Sequence, residues 1–241
     1  FVGFPFMSTF KNSTAKGNVE STGWSTGGFS GDGCECSFTN CIAYGNAKAD
    51  DWNLGGFIGF NNANKIENCT AYGDVTSTVT NWNPKAGGFV GTNCSDSVIK
   101  NSHAAGTVTG SNDKGMAGGF VAHDDNGTTE GCSFDKTKNP TLNAIGSTAR
   151  EGKNDIIEKD TNEILADICI DSLGGHSFDD GWVIDKEASC TEEGSKSHHC
   201  IRCNAKTDIT VIEKVSHADI KLVKTEGKKA THMTDGVIDY W

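Results

Sequence analysis

Near the end of the chain, Cys190-(x9)-Cys200-x-x-Cys203 stands with His217 or His176 as the set best suited to chemistry. It reads two ways. As a structural Zn2+ site, three thiolates and one imidazole make a closed tetrahedral Cys3His set, and the Cys-x-x-Cys spacing lets two thiolates converge on one ion. In an oxidising exterior, two of the cysteines instead join as a disulfide. A weak internal repeat bears on the choice. His176-(x5)-Trp182-(x3)-Lys186-Glu-Ala-Ser-Cys190 aligns with His217-(x10)-Lys228-Lys-Ala-Thr-His232, so His232 holds the place of Cys190 in the second copy. Histidine replaces cysteine as a zinc ligand but forms no disulfide, which favours metal, with Cys190, Cys200, Cys203 and His217 as the ligand set. His198 and His199 read as solvated histidines.

Elsewhere the chemistry is sparse. The chain carries no His-Glu-x-x-His, Gly-x-Ser-x-Gly or P-loop pattern. The acidic pairs Asp50-Asp51, Asp124-Asp125 and Asp179-Asp180 lie in polar or Gly/Asn-rich stretches, where aspartate bonds to turn backbone rather than acting as an acid or base. Lysines and arginines form no stripe suited to an acidic polysaccharide, which disfavours a lyase acting on one. No Asp-x-Asp-x-Asp-Gly loop is present, so calcium stays unassigned. Trp24, Trp52 and Trp82 fall in variable stretches expected on one flank, where exposed rings suit a sugar or a protein partner. Shielding of their own loops is the competing reading. With Lys+Arg 21 against Asp+Glu 32 the net charge is -11, the wrong sign for a protein that neutralises phosphates, so nucleic acid is excluded as a partner. No apolar run nears the roughly 18 to 20 residues a membrane-spanning helix needs.

The elements that position these residues follow from a repeat. Gly-Gly-Phe recurs at Gly27-Gly28-Phe29, Gly55-Gly56-Phe57, Gly87-Gly88-Phe89 and Gly118-Gly119-Phe120, spaced about 28 to 32 residues apart. Between these lies a second block that opens at Phe10, Phe38, Ile66 and Ile99 and runs through Ala15, Ala43, Ala71 and Ala104 to Gly17, Gly45, Gly73 and Gly106. Small residues alternate with polar ones there, the period of a half-buried strand. Such a unit cannot bury a face alone, whereas stacked units share a continuous narrow core. Residues 1 to about 147 are therefore expected to form a right-handed parallel β-solenoid of about five coils, with the Phe and Ile positions stacked as ladders. Phe134 replaces alanine in the fifth unit, which marks the solenoid's end. Phe1-Val2-Gly3 aligns with Phe57-Ile58-Gly59, so the protein is expected to continue upstream. Of the ten cysteines, Cys41, Cys69 and Cys132 share an inward position with Ser13 and Ser102 and read as small core residues. Cys41 and Cys69 are expected on adjacent coils at about 4.8 Å, within reach of a bridge.

The two blocks resemble the GLUG motif, with its Gly-Gly-(Phe/Leu)-Val-Gly and Asn-Cys-x-Ala-x-Gly segments. That resemblance covers about 60% of the chain. It implies a secreted or wall-attached bacterial protein and defines no catalytic residues. The Cys190–Cys203 segment resembles a Cys/His repeat of surface proteins from Gram-positive gut bacteria, where such modules act as spacers.

Residues 148–174 read as a linker whose Asp160-Thr-Asn-Glu163 opens a short helix through Ile164, Leu165 and Ile168, expected to cap the solenoid's open edge. Residues 175–241 read as a small β-rich Cys/His module with a truncated second copy. The function expected is non-catalytic: a fragment of a bacterial cell-surface protein that presents loops for adhesion to host glycan or protein. A carbohydrate-active enzyme, or the accessory region of a large surface hydrolase, is the alternative, and a passive stalk the third reading.

Overall fold

The computed structural model describes residues 2–50, 52–78, 84–110 and 116–216. It divides into two units, residues 1–177 with 200–205, and residues 178–199 with 206–241.

The first unit is a parallel β-solenoid of about five turns. One turn consists of the strands Ser25–Gly27, Ser30–Cys34, Ser37–Thr39, Ile42–Ala43 and Ala47–Ala49, and the next of Asn53–Gly55, Ile58–Asn62, Lys65–Glu67, Thr70–Ala71 and Val75–Ser77. Each strand pairs in parallel with its counterpart one turn away: Phe38 opposes Ile66, Ala43 opposes Ala71, and Gly27 opposes Gly55. Strands of two to five residues are too short to persist singly; the ladder of identical neighbours holds them.

Inside, Phe29, Phe57, Phe89 and Phe120 stack with ring centroids 5.0, 5.0 and 4.8 Å apart. A second column runs through Phe10, Phe38, Ile66 and Ile99 and meets the first edge to face, Phe38 lying 5.8 Å from Phe29 and 5.7 Å from Phe57. Parallel offset stacks along the axis and edge contacts across it are the arrangements the ring quadrupole favours.

The second block's pattern also has a physical reason at each position. Asn12, Asn40, Asn68 and Asn101 all adopt positive φ, between 44° and 53°. Asparagine tolerates that conformation. Their side-chain amides then donate down the stack, Asn40 to Asn12 at 3.1 Å, Asn68 to Asn40 at 3.3 Å and Asn101 to Asn68 at 3.4 Å. The glycine that closes the block has no room for a side chain: a Cβ on Gly73 would lie 2.0 Å from the carbonyl oxygen of Gly45, in the turn below.

Cys41, Cys69 and Cys132 are fully buried in this core as free thiols, and the Cys41 N–H donates to Cys69 Sγ over 3.4 Å. Phe134 stands opposite Ala104 and fills the space beside Gly119, where no Cβ would fit. The ladders nevertheless continue past 147. Ile145–Arg150 pairs with Val121–Asp125, and Lys153–Lys159 pairs with Thr128–Asp135. These two strands lack the Gly-Gly-Phe signature, although Gly146 keeps the register of Gly91, and they end their ladders, where the charged residues of Lys153–Lys159 suit an edge.

The helix α1, Thr161–Asp171, begins at the expected capping box: the Asp160 carboxylate accepts from the N–H groups of Asn162 and Glu163, and Glu163 accepts from the Asp160 N–H. It lies on the solenoid's flank rather than over the open edge. Ile164 and Ile168 pack on Ala105 with Tyr72 beside them. The reason is chemical match, since the flank offers a small apolar residue and buried polar partners whereas the edge strands are charged.

The second unit contains an antiparallel sheet of Val183–Lys186, Gly194–His199 and Lys206–Ile212. Within it Asp185 accepts from Lys206 Nζ, Ser197 Oγ and His199 Nε2, and the first two hold its carboxyl well below the usual carboxylate range. The second copy of the Cys/His repeat lies outside the described residues.

Candidate metal centre

Residues 200–205 form the turn between the strands Gly194–His199 and Lys206–Ile212 and belong to the first unit. The Cys200 N–H donates to the Ala205 carbonyl at 2.9 Å, which closes the turn, and the Ile201 N–H donates to the Ser177 carbonyl at 2.9 Å. Arg202 reaches back to the carbonyls of Leu173 and Gly175. After α1, Gly174 and Gly175 adopt positive φ of 74° and 108°, which reverses the chain and returns His176 toward the helix end.

Cys169, His176, Cys200 and Cys203 thereby converge, their ligand atoms all within 4.8 Å of one another. Cys203 Sγ lies 3.3 Å from His176 Nδ1. Around Zn2+ with sulfur ligands at about 2.3 Å, a tetrahedron separates thiolates by about 3.8 Å and a thiolate from an imidazole nitrogen by about 3.6 Å. The group is therefore already near the dimensions a metal requires, and it could hold an ion.

Its electrostatics point the same way. Burial pushes the Cys200 thiol up, but the backbone N–H groups of Arg202 and Ser177, with His176 and Cys203, outweigh it and bring the thiol down to about 6. Burial, then the Cys203 thiol, push Cys169 up to about 12. The Cys169 thiol thus does not ionise unaided, whereas a divalent cation beside it would stabilise its thiolate.

Of the residues singled out by spacing, Cys200 and Cys203 are in this group. Cys190 is exposed in the second unit and is not among the converging ligands. His217 lies outside the described residues. His176, the alternative to His217, is in the group, and Cys169 joins it although no Cys-x-x-Cys spacing marks it. The available signal was Cys169-(x6)-His176 with Gly174-Gly175 between, a cysteine on the last helical turn followed by a chain reversal.

Of the acidic pairs, Asp124 and Asp125 serve structure, and Asp51 lies outside the described residues. Asp124 is fully buried and accepts from the Gly127 and Gly152 N–H groups and the Asn154 side chain, while Asp125 pairs with Arg150. His103 bonds Ser133 Oγ at 2.8 Å and Asp171 at 3.1 Å, the connectivity of a nucleophile, base and acid. Yet Ser133 and His103 are 2% and 1% exposed, beneath α1, which leaves no space for a substrate atom beside the hydroxyl. The trio anchors the helix. Trp24 and Trp52 stack at 6.3 Å and are 80% and 52% exposed; Trp82 lies outside the described residues.

The profile of the GLUG motif matches residues 50–76. That stretch contains the complete turn from Asn53 to Ser77 save its last residue, and the turns paired with it repeat its register. No curated protein and no solved structure matches the chain.

Proposed function

We propose that this chain is a non-catalytic, ligand-presenting segment of a secreted or wall-attached bacterial surface protein, in which the solenoid displays loops for adhesion to an extracellular glycan or protein. The GLUG match and the solenoid support a repeat-containing scaffold. The observation that carries the presenting role is the Trp24–Trp52 stack, two large apolar rings held in register by the ladder beneath them yet left mostly in solvent. Core tryptophans would be covered, and rings that merely shielded their own loops would not leave four-fifths of Trp24 bare.

The ion we propose for Cys169, His176, Cys200 and Cys203 is Zn2+ in a structural role. Three soft thiolates with one imidazole suit zinc and not calcium, which takes oxygen ligands. No open position or substrate pocket is needed for that role.

Binding of the purified chain to immobilised extracellular glycans and matrix proteins tests the presenting role, with Trp24→Ala/Trp52→Ala alongside. Saturable binding that falls at least tenfold in the double variant is the expected result. Binding unaffected by the double variant, or none to either class, would take the presenting role away from the tryptophan stack, and release of sugar from a glycan would move the protein to the enzyme class.

A further inference from the structure

The segments around the metal centre differ in how much apolar surface fastens them, and this has a consequence for the ion. Helix α1 brings Ile164 and Ile168, both fully buried on the flank. Four polar links add to them: Thr161 to Asp135, Asp171 to His103, Ser172 to Thr70, and Asp167 to Lys159 just before the helix. The turn 200–205 has no comparable apolar anchor, and its polar ties are the Asn204 amide to Asn162 of α1, the Ile201 N–H to Ser177 and Arg202 to the Leu173 and Gly175 carbonyls. Its one large apolar side chain, Ile201, is 70% exposed, and what it buries is Cys200 and Cys203, against Cys169, Leu165, Leu173 and Ala205. Residues 173–177 contribute two positive-φ glycines, Gly174 and Gly175, around which no atom lies within 4 Å of the place a Cβ would occupy, and the partly buried Leu173 and His176.

We infer that Zn2+ at Cys169, His176, Cys200 and Cys203 is the latch that holds residues 173–177 and the 200–205 turn in place, whereas α1 stays docked with or without the ion. The inference rests on the zinc reading above and adds a division of labour to it. Ligands from three separate stretches, the last turn of α1, the glycine reversal and the Cys-x-x-Cys turn, meet at one point. Only Cys169 is carried by an element with its own apolar anchor. When the ion leaves, the helical ligand keeps its position and the other three lose the common atom that oriented them. The Ile201 backbone bond is a single link, and the Arg202 and Asn204 contacts are exposed and individually modest, so they do not replace it. A closed metal site that supplies the fold of a short coreless segment is the usual division in small metal-stapled modules.

The experiment uses the whole chain, purified without chelator, and Zn2+ as the only added ligand. Elemental analysis and thiol counting give occupancy, and amide hydrogen exchange is followed before chelation, after it and after Zn2+ is returned. The expected result is about one zinc per chain, with exchange in 173–177 and 200–205 at least tenfold faster on chelation and restored by zinc. Exchange in Thr161–Asp171 and in the solenoid strands stays within about twofold. Cys203→Ser should reproduce the chelated pattern without chelator, and because the chelation arm uses unaltered protein, a variant that fails to fold does not blunt the test. Absence of zinc overturns the metal reading and this inference with it. Bound zinc whose removal leaves the turn protected overturns the latch alone, as does loosening of α1 together with the turn.

Discussion

In the solenoid each strand of two to five residues is held because the same side chain stands above and below it. In the turn 200–205 nothing repeats and nothing large is buried. Phe57 has Phe29 and Phe89 on its two faces at 5.0 Å, and Asn68 has Asn40 and Asn101 at hydrogen-bond distance. Cys200 and Cys203 instead meet residues from elsewhere in the chain, brought to them by a helix and a glycine reversal. Short segments thus become ordered in two ways within one unit: by periodic neighbours, whose contribution is spread over every turn, or by a single point where several ligands converge. The first tolerates no side chain where backbones stack, and the second, on the latch proposed above, depends on one atom.

The largest effect should come from the tightest backbone approach. Gly73→Val puts a branched side chain 2.0 Å from a carbonyl and is expected to cost more than about 4 kcal/mol, the range of severe steric disruption. Gly17→Val is its control, because nothing lies within 4 Å of that position, and should stay within about 1 kcal/mol. Urea unfolding of both variants decides whether stacking geometry or mere repetition matters. Equal losses would break the comparison.

Next, Phe57→Ala removes a fully buried ring from mid-ladder and should cost about 3–5 kcal/mol. The partly buried Phe10, at the end of its column, should cost clearly less when truncated in the same way. Both losses are expected to leave zinc stoichiometry unchanged wherever the chain remains folded.

A smaller loss of about 1–2 kcal/mol is expected for Asn68→Ala, which places a Cβ-bearing residue without an amide at a φ of 53°. Asn68→Gly relieves the backbone part and retains only the loss of the ladder bonds. If Ala and Gly prove equally unstable, the conformation contributes nothing and the amide column everything.

The smallest predicted effect concerns the helix dock. Burial lowers the pKa of His103 below its ordinary 6.5, against the opposing pull of Asp171 and Asp167. The unfolded chain therefore binds a proton more readily than the folded one, so stability falls as pH drops below about 6.5 and levels off once pH is under the folded value. Thermal melts of a zinc-free Cys200→Ser chain, which lacks the low-lying Cys200 thiol, should show this slope between pH 5 and 8, and adding His103→Gln should reduce it. A slope unchanged by that addition assigns the dependence elsewhere.

How much of this was legible depended on period. The glycine and asparagine positions, the phenylalanine ladders and the parallel turns were all written as residues recurring at a near-constant spacing, because in a solenoid the spatial neighbour is also the residue one period away. The helix start at Asp160 was equally legible, since a capping box is local in sequence. Its destination was not: docking on Ala105 and Tyr72 rather than on the open edge depends on which surface is small and apolar once the chain is wound. The strands Ile145–Arg150 and Lys153–Lys159 were illegible for a related reason, because they inherit their pairing from the ladder they join and carry no Gly-Gly-Phe of their own, Ile145-Gly146 being the one trace of the repeat.

The candidate centre divides along the same line. Cys200-x-x-Cys203 announces two ligands by spacing alone, since two residues suffice to close a turn that points both sulfurs one way. The sequence by itself determined the repeat, the solenoid and that pair. Only the tertiary structure decided that Cys169 and His176 converge on that pair while Cys190 does not, because convergence is fixed by distances between segments that share no period, and those distances exist only after helix, reversal and turn have been packed against one another.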